Sequence, residues 1–212
     1  MVDTIKTEQE IFWSGDFGDE YTNRNVGAEL LASNLSLFAR VFSCVKKIGS
    51  VVEFGANVGL NLQALRLLYP GQVQYAVEIN SLAADKIKES MQDVEVFNYS
   101  IAEFDQNKIK GGACDLALIK GVLIHINPDH LDLVYQKLYS STNKYILICE
   151  YYNPKPDVVK YRGHTDRLFR RDFAGEMLDK FNDLSLLDYG FVYHRDPAFP
   201  QDDFSWFLLD KS

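Results

Sequence analysis

Two acidic residues lie where predicted β-strands give way to loops. Glu53 lies at the end of the apolar run VVEF, and the following GANVGLN contains Gly55 and Gly59, which permit a tight turn and a close approach of backbone to ligand. Glu78 ends the next apolar run, near the position, about 20 residues after such a turn, where a carboxylate holds ribose hydroxyls in doubly wound folds. The two acids and the turn predict a site for a nucleoside cofactor.

The spacing of the glycines separates two kinds of cofactor. A dinucleotide enzyme normally has G-x-G-x-x-G to seat a pyrophosphate at the helix N-terminus, and this turn lacks that pattern. A carboxylate at Glu53 would repel a pyrophosphate but attract the cationic amino end of a methionine moiety. The sequence therefore favours S-adenosylmethionine over NAD. The alternative is an ordinary strand-to-helix turn followed by a solvent-exposed acid at Glu78.

Short apolar runs alternate with amphipathic stretches from residue 51 onward, which is how a parallel sheet covered on both faces appears in sequence. The predicted strands cover 51–54, 73–78, 94–99, 115–120 and 144–151, and the predicted helices cover 60–68, 83–91, 128–138 and 171–181. The sequence thus predicts an α/β fold with a doubly wound, mostly parallel sheet.

The two ends of the chain differ from this alternation. Apolar segments 191–195 and 204–210, separated by prolines, predict an antiparallel C-terminal hairpin that completes a seven-stranded sheet. Residues 27–47 have helical apolar spacing, and FWSGDFG in the first 25 residues resembles a loop or lid. We expect one domain over 1–212: an N-terminal helical arm (1–48), a cofactor-binding core (49–151), and an acceptor-side segment with the terminal hairpin (152–212).

Composition limits the class of protein. A chain of 212 residues that is 47% hydrophobic suits one domain, and its net charge of −8 argues against nucleic acid as a partner. The N-terminus lacks a signal-peptide pattern and no long apolar run is present, so we expect a cytoplasmic protein without a membrane partner. Cys44, Cys114 and Cys149 stand apart in apolar runs, which predicts buried thiols and no zinc site.

Four segments resemble, in order and spacing, the motifs of class I (Rossmann-like) S-adenosylmethionine-dependent methyltransferases: Glu53–Gly59, Glu78, Asn98–Ile101 and Asp115–Ile126. The resemblance implies S-adenosylmethionine as cofactor and S-adenosylhomocysteine as product. The implied cofactor residues are Glu53, Gly55, Ala56, Asn57 and Gly59 around the methionine part, Glu78 at the ribose, Ser100 and Ile101 beside the adenine, and Ile79, Lys120 and Gly121 next to them. Ser100 departs from the common pattern, which has an aspartate there.

A narrower resemblance involves residues 8–25, 150–156 and 161–176. These segments are similar to the methylase family found with pseudaminic acid biosynthesis genes. That resemblance implies a small anionic acceptor, such as a nonulosonic sugar acid or its nucleotide-activated form.

Residues after the fifth predicted strand are candidates for binding that acceptor. Guanidinium groups suit carboxylates and phosphates because they donate two parallel hydrogen bonds. The candidates are Tyr151, Tyr152, Asn153, Tyr161, Arg162, Arg167, Arg170 and Arg171. The alternative is a solvent-exposed helix face on which the arginines pair with Asp166, Asp172 and Glu176.

Further candidates lie in the arm and after the fourth strand. Trp13 and Arg24 would belong to a lid over the cofactor, with Arg24 a partner for the methionine carboxylate; alternatively, the aromatic residues of the arm fill a gap in the core. His125 and His164 are candidate general bases, since imidazole titrates near neutral pH. The alternative for each histidine is a packed, hydrogen-bonded side chain.

The reaction expected from these residues is in-line methyl transfer to a small molecule, in which the enzyme mainly supplies alignment. A non-catalytic S-adenosylmethionine-binding sensor or scaffold is the alternative. An aminopropyl-transferring synthase would need several acids where Lys120 and Gly121 stand, and the N/D-P-P-Y/F motif of base-amine methyltransferases is missing. The sequence leaves protein methylation and the oligomeric state open.

Overall fold

A computed structural model of the chain describes residues 6–24, 27–45, 47–161, 163 and 167–211. The helices are α1 (Glu8–Ser14), α2 (Asp16–Arg24), α3 (Ala28–Val41), α4 (Leu60–Leu68), α5 (Ser81–Ser90), α6 (Leu131–Ser140) and α7 (Phe173–Lys180). The strands are β1 (Ser50–Phe54), β2 (Val73–Val77), β3 (Val94–Phe97), β4 (Cys114–Lys120), β5 (Thr142–Glu150), β6 (Asp157–Val158), β7 (Phe169–Arg170), β8 (Leu184–Phe191) and β9 (Ser205–Lys211).

Seven strands form one sheet in the order β3-β2-β1-β4-β5-β9-β8. The first five are parallel to one another, β9 is antiparallel to β5, and β8 is antiparallel to β9. This arrangement confirms the predicted fold: a mostly parallel, doubly wound sheet with an antiparallel C-terminal hairpin. The order of the parallel strands changes direction between β1 and β4. A crevice therefore forms at the carboxyl ends of these two strands, which is where open α/β sheets bind ligands.

Buried apolar side chains cover both faces of the sheet. On one face Phe54 and Phe104 pack with Met177 of α7 and with residues of α6. On the other face Phe38 of α3 and Leu62 of α4 pack with residues of β4, β5 and β9. The parallel strands read as continuous apolar runs because both of their faces are buried.

The N-terminal segment is more regular than predicted. FWSGDFG contributes to α1 and α2 and is not a loop. α1 begins with a capping box, in which the Thr7 side chain accepts from the Glu10 N–H and the Glu10 carboxylate accepts from the Thr7 N–H. At seven and nine residues, the two helices are too short to show a clear helical period in sequence.

Two other predictions were wrong. The first strand of the hairpin is β8, at Leu184–Phe191, and residues 192–204 form the connecting loop. An irregularity in the pairing between Leu186 and Asp188 interrupts the alternation that would have marked this strand. Cys44 is exposed, whereas Cys114 and Cys149 are buried as predicted.

Two structural features are absent from the described part of the chain. None of its helices combines the length and apolar character required to cross a membrane. Its His, Cys, Asp and Glu side chains form no group of three arranged to hold a metal ion.

Candidate functional site

A cavity of about 740 Å³ opens at the carboxyl ends of the parallel strands. Its walls come from the N-terminal arm, the turns after β1 and β2, the loops after β3 and β4, and the 192–204 loop. The structure brings these predicted residues together in its lining: Trp13, Gly55, Ala56, Asn57, Glu78, Ile79, Ser100, Ile101, Lys120, Gly121, His125, Tyr151 and Tyr161. A volume of this size is typical of small-molecule sites.

Other predicted residues lie away from the described lining or outside the described residues. Glu53, Gly59, Arg24, Tyr152, Asn153, Arg167, Arg170 and Arg171 do not line the cavity. Arg162 and His164 fall outside the described residues, as does Asp166, a predicted partner of the arginines.

The turn after β1 requires glycine at position 55. Gly55 has a φ of 75°, and a Cβ there would lie 2.4 Å from Cγ2 of Val122 in the loop after β4. The same turn places Asn57 at a φ of 46°, the only positive φ of a non-glycine residue in the described chain. Backbone strain of this kind is concentrated at functional sites. The closeness of Val122 to the Gly55 position shows that the turn and the loop after β4 are packed directly against each other.

Glu78 fixes the turn from the neighbouring strand. Its carboxylate accepts from the Asn57 N–H at 2.7 Å and from the Asn80 N–H at 2.8 Å, and only 7% of the residue is exposed. Burial raises the pKa of Glu78, and these backbone donors oppose that rise. A rigid carboxylate at this position can accept hydrogen bonds from a ribose.

Glu53 lies beneath the turn rather than in the cavity wall. Its Oε1 accepts from Nδ2 of Asn61 at 2.6 Å, and Asn61 itself lines the cavity. Burial raises the pKa of Glu53 to about 8, against the opposing effects of the Asn61 hydrogen bond and the Lys120 charge. Its Oε2 has no hydrogen-bond partner among the described residues. Glu53 thus affects the cavity indirectly, through the hydrogen bond that it accepts from Asn61 in the cavity wall.

A third buried acid, Glu150, was missed by the sequence analysis. It ends β5, and its Oε1 accepts from the N–H groups of Val122 and Leu123, both at 2.9 Å. Burial raises the pKa of Glu150 to about 7, and these N–H groups and the Lys120 charge oppose the rise. The residue was identifiable as an acid at the end of an apolar strand, as Glu53 and Glu78 were. Through its hydrogen bonds to Val122 and Leu123, Glu150 fixes the loop that contains His125.

The N-terminal arm is docked on Asn57, a predicted cofactor residue, and on Asn80, which was not predicted. Nδ2 of Asn80 donates to Oδ1 of Asp19 at 2.7 Å and to the Trp13 carbonyl at 3.3 Å. Thr22 donates from Oγ1 to Oδ1 of Asn57 at 3.3 Å. The arm therefore closes one side of the cavity through contacts with the turns after β1 and β2, in the position predicted for a lid.

We expect Asn80→Asp to release the arm without unfolding the domain. An aspartate oxygen can still accept from the Ala83 N–H and cap α5, but it cannot donate to Asp19, whose charge it would repel. Losing a hydrogen bond to a charged group costs about 1.5–3 kcal/mol, so amides of 7–24 should exchange with deuterium at least about tenfold faster. Asn23→Asp is the matched control, because among the described residues the Asn23 side chain accepts from Lys86 and donates to none. Unchanged exchange in Asn80→Asp would contradict the proposed docking contact.

His125 is a neutral histidine in the cavity wall. Its Nδ1 lies 2.6 Å from the carbonyl oxygen of Arg167, so Nδ1 carries the proton and Nε2 the lone pair. The ring lies between those of Trp13, at 4.6 Å, and Tyr161, at 5.3 Å. Burial lowers the pKa of His125 to about 4, and the hydrogen bond to Arg167 opposes this only in part. His125 thus has features of both predicted alternatives. It lines the cavity, as a general base must, and it is also a packed, hydrogen-bonded side chain.

The described arginines of segment 161–176 pair with acids outside the cavity lining. Arg170 pairs with Asp157, Arg171 lies 2.6 Å from Glu176, and Arg167 lies 3.1 Å from Glu8. Asp172, a predicted partner, instead caps α7 by accepting from the Gly175 N–H. Neighbouring carboxylates therefore balance these positive charges. Within the described lining, Lys120 is the only residue with a permanent positive charge.

Solved structures show which class of protein has this fold. The mitomycin 7-O-methyltransferase is 15% identical with a TM-score of 0.68, and the alignment covers 97% of this chain and 61% of that one. The magnesium protoporphyrin IX methyltransferase of Synechocystis PCC 6803, solved with bound SAH, is 13% identical with a TM-score of 0.68, over 96% of this chain and 98% of that one. A Burkholderia thailandensis 1,6-didemethyltoxoflavin-N1-methyltransferase is 18% identical with a TM-score of 0.65, over 95% of this chain and 85% of that one.

The chain therefore has the fold of the class I S-adenosylmethionine-dependent methyltransferases. It spans about three fifths of the mitomycin enzyme and nearly the full length of the protoporphyrin enzyme. No protein-family model and no curated protein sequence matches it.

Proposed function

We propose that this protein transfers the methyl group of S-adenosylmethionine to a small molecule bound in the same cavity. The observation that carries the proposal is the rigid Glu78 carboxylate beside the Gly55 turn, at the carboxyl ends of adjacent parallel strands. The methyltransferase fold of the chain supports it. When bound, the cofactor supplies an electrophilic methyl group on a sulfonium, and the protein supplies binding and alignment.

The residues of the cavity fit this cofactor. The Gly55 turn leaves no room for a side chain where the backbone would approach the methionine part, and Glu78 in the cavity wall would hold the ribose. Ser100 and Ile101 would bound the adenine. Lys120, whose Nζ lies 3.3 Å from Oδ1 of Asn34, would attract the methionine carboxylate. Trp13 has a buried indole N–H without a described partner, a donor available to a ligand.

The acceptor is proposed to be a small hydroxylated molecule. Aromatic rings of Trp13, Tyr21, Tyr151, Tyr161 and Phe204 line the same cavity and offer flat surfaces for such a molecule. The resemblance to the pseudaminic acid-associated methylases makes nonulosonic acids and their nucleotide-activated forms the first compounds to test. An anionic acceptor would have to use Lys120 or residues outside the described part of the chain, because the described arginines are paired with acids.

Calorimetric titration with S-adenosylmethionine and S-adenosylhomocysteine tests the proposal, with NAD as a control ligand. We expect micromolar binding of the first two and none of NAD. Formation of S-adenosylhomocysteine in the presence of the candidate acceptors would then separate the enzyme from a cofactor-binding scaffold. A protein that binds neither adenosyl compound, with or without acceptors, would refute the proposed function.

A further inference from the structure

The 192–204 loop brings a histidine and an aspartate together at the cavity. Nδ1 of His194 lies 2.8 Å and 2.9 Å from the two carboxylate oxygens of Asp203, and the His194 N–H donates to Oδ1 at 3.0 Å. His194 lines the cavity, as do Gln201 and Asp202 of the same loop. Gln201 ties the loop to α3 by donating to the Ser33 carbonyl at 2.8 Å. The pair is thus held at the ligand-binding end of the sheet.

The carboxylate determines how the imidazole can act. A carboxylate can only accept, so Nδ1 carries the proton, and the neutral form of the ring has its lone pair on Nε2. A carboxylate on Nδ1 also stabilises the imidazolium that forms when Nε2 takes up a proton. The hydrogen bonds from His194 in turn lower the pKa of Asp203, which keeps that carboxylate ionised.

His125 and His194, two of the three histidines in the described cavity lining, differ in this respect. His125 has only a carbonyl oxygen on Nδ1 and is buried, and its lowered pKa keeps it neutral. His194 has a carboxylate on Nδ1, and about half of its side chain is exposed. A proton taken up by His125 would create a buried charge with no counterion among the described residues, whereas one taken up by His194 would complete an ion pair. His125 is therefore suited to hydrogen bonding and His194 to proton uptake.

The surroundings place this pair beside the predicted acceptor residues. Asp202 and Asp203 act electrostatically on Tyr151, whose pKa is raised mainly by burial. The ring of Tyr151 stacks on that of Phe204 at 4.9 Å, and Phe204 packs against Gly121 at the end of β4. The 192–204 loop, Tyr151 and the end of β4 thus form one wall of the cavity.

Building on the proposed function, we propose that His194, held by Asp203, is the general base that deprotonates a hydroxyl group of the acceptor. The acceptor oxygen forms its bond to the methyl carbon while the bond from that carbon to the sulfonium sulfur of the methyl donor breaks. The electron pair of the broken bond stays on sulfur, which becomes a neutral thioether. The hydroxyl proton passes to Nε2 of His194 and later to solvent. The product is a methyl ether, not a methyl ester, since a carboxylate acceptor would carry no proton to remove.

Nuclear magnetic resonance of the ¹⁵N-histidine-labelled full chain tests the pair without any acceptor. In the S-adenosylhomocysteine-bound protein, His194 should show a hydrogen-bonded Nδ1–H that disappears in Asp203→Asn. A His194 ring protonated on Nε2 instead of Nδ1 at neutral pH would overturn the inference.

Turnover tests the role of the pair in the reaction. The probes are nonulosonic acids, methyl glycosides and simple phenols, and the readout is S-adenosylhomocysteine released and the alkali stability of the methylated product. His194→Gln should lower kcat at least about 100-fold, within the range that general bases contribute, and Asp203→Asn about tenfold. Both variants should bind S-adenosylhomocysteine as the wild type does. Arg195→Gln, a charge change on the same loop outside the cavity lining, should retain wild-type turnover.

The outcomes distinguish this inference from the proposed function. If the wild-type protein binds no adenosyl compound, both the proposed function and the assignment of His194 are refuted. A wild type that binds S-adenosylhomocysteine but methylates none of the hydroxyl probes, or forms an alkali-labile ester, overturns the assignment of His194 alone. His194→Gln with turnover within about threefold of wild type, far less than a general base contributes, would make the pair a surface salt bridge only.

Discussion

Glu78→Ala should weaken the binding of S-adenosylhomocysteine by about 100-fold. The substitution removes a buried carboxylate that would accept from the ribose hydroxyls, and hydrogen bonds to charged groups are worth about 1.5–3 kcal/mol each. It also leaves the N–H groups of Asn57 and Asn80 without their present acceptor, so the turn that we propose surrounds the methionine part loses its support. Calorimetric titration of the variant and the wild type measures the ratio of the dissociation constants.

Two comparisons show whether this effect is local. Asp85→Ala removes an exposed carboxylate that pairs with Lys88 on α5 and should leave the affinity unchanged. Glu78→Gln keeps one acceptor oxygen but loses the charge, so its dissociation constant should lie between those of the wild type and Glu78→Ala. Wild-type affinity in Glu78→Ala, together with a folded circular dichroism spectrum, would remove Glu78 from the cofactor site.

The parallel core and part of the site were predictable because both depend on local sequence. Continuous apolar runs such as that of β4 arise from burial on both faces, and the Gly55 turn follows from a conformation that glycine adopts most easily. Glu78 was recognisable because its distance from the turn is set by the length of one helix and one strand. The structure confirms the predicted sheet and brings Glu78 to the turn.

The acceptor side depends on contacts between distant segments, which local sequence does not reveal. His194 and Asp203 meet only because β8 and β9 pair, and the irregularity near Leu186 hid the first of these strands. The charge of Arg170 is balanced by Asp157 across a two-residue strand pair that has no sequence signature. A run of arginines in sequence gives their number but not their partners, and the partners determine whether a positive charge is available to a ligand.

Gly55→Ala should destabilise the domain by about 3 kcal/mol through two separable effects. The left-handed conformation costs a non-glycine residue about 1–2 kcal/mol, and overpacking a filled space adds about 1–3 kcal/mol. The overpacking arises because the new Cβ would lie 2.4 Å from Cγ2 of Val122, which lies in the loop that Glu150 holds in place. Chemical denaturation of both proteins gives the difference in the free energy of unfolding.

Two further variants divide the loss into its parts. Gly71 has a similar φ of 81°, and no atom lies within 4 Å of the Cβ that Gly71→Ala would add. This variant should therefore lose stability through the conformational cost alone. Adding Val122→Ala to Gly55→Ala removes the clashing methyl groups, so the double variant should recover much of the overpacking term. Equal losses in Gly55→Ala and Gly71→Ala would mean that the turn after β1 has room for a side chain. The packing of that turn against the loop after β4, on which the shape of the proposed cofactor site depends, would then be looser than the structure indicates.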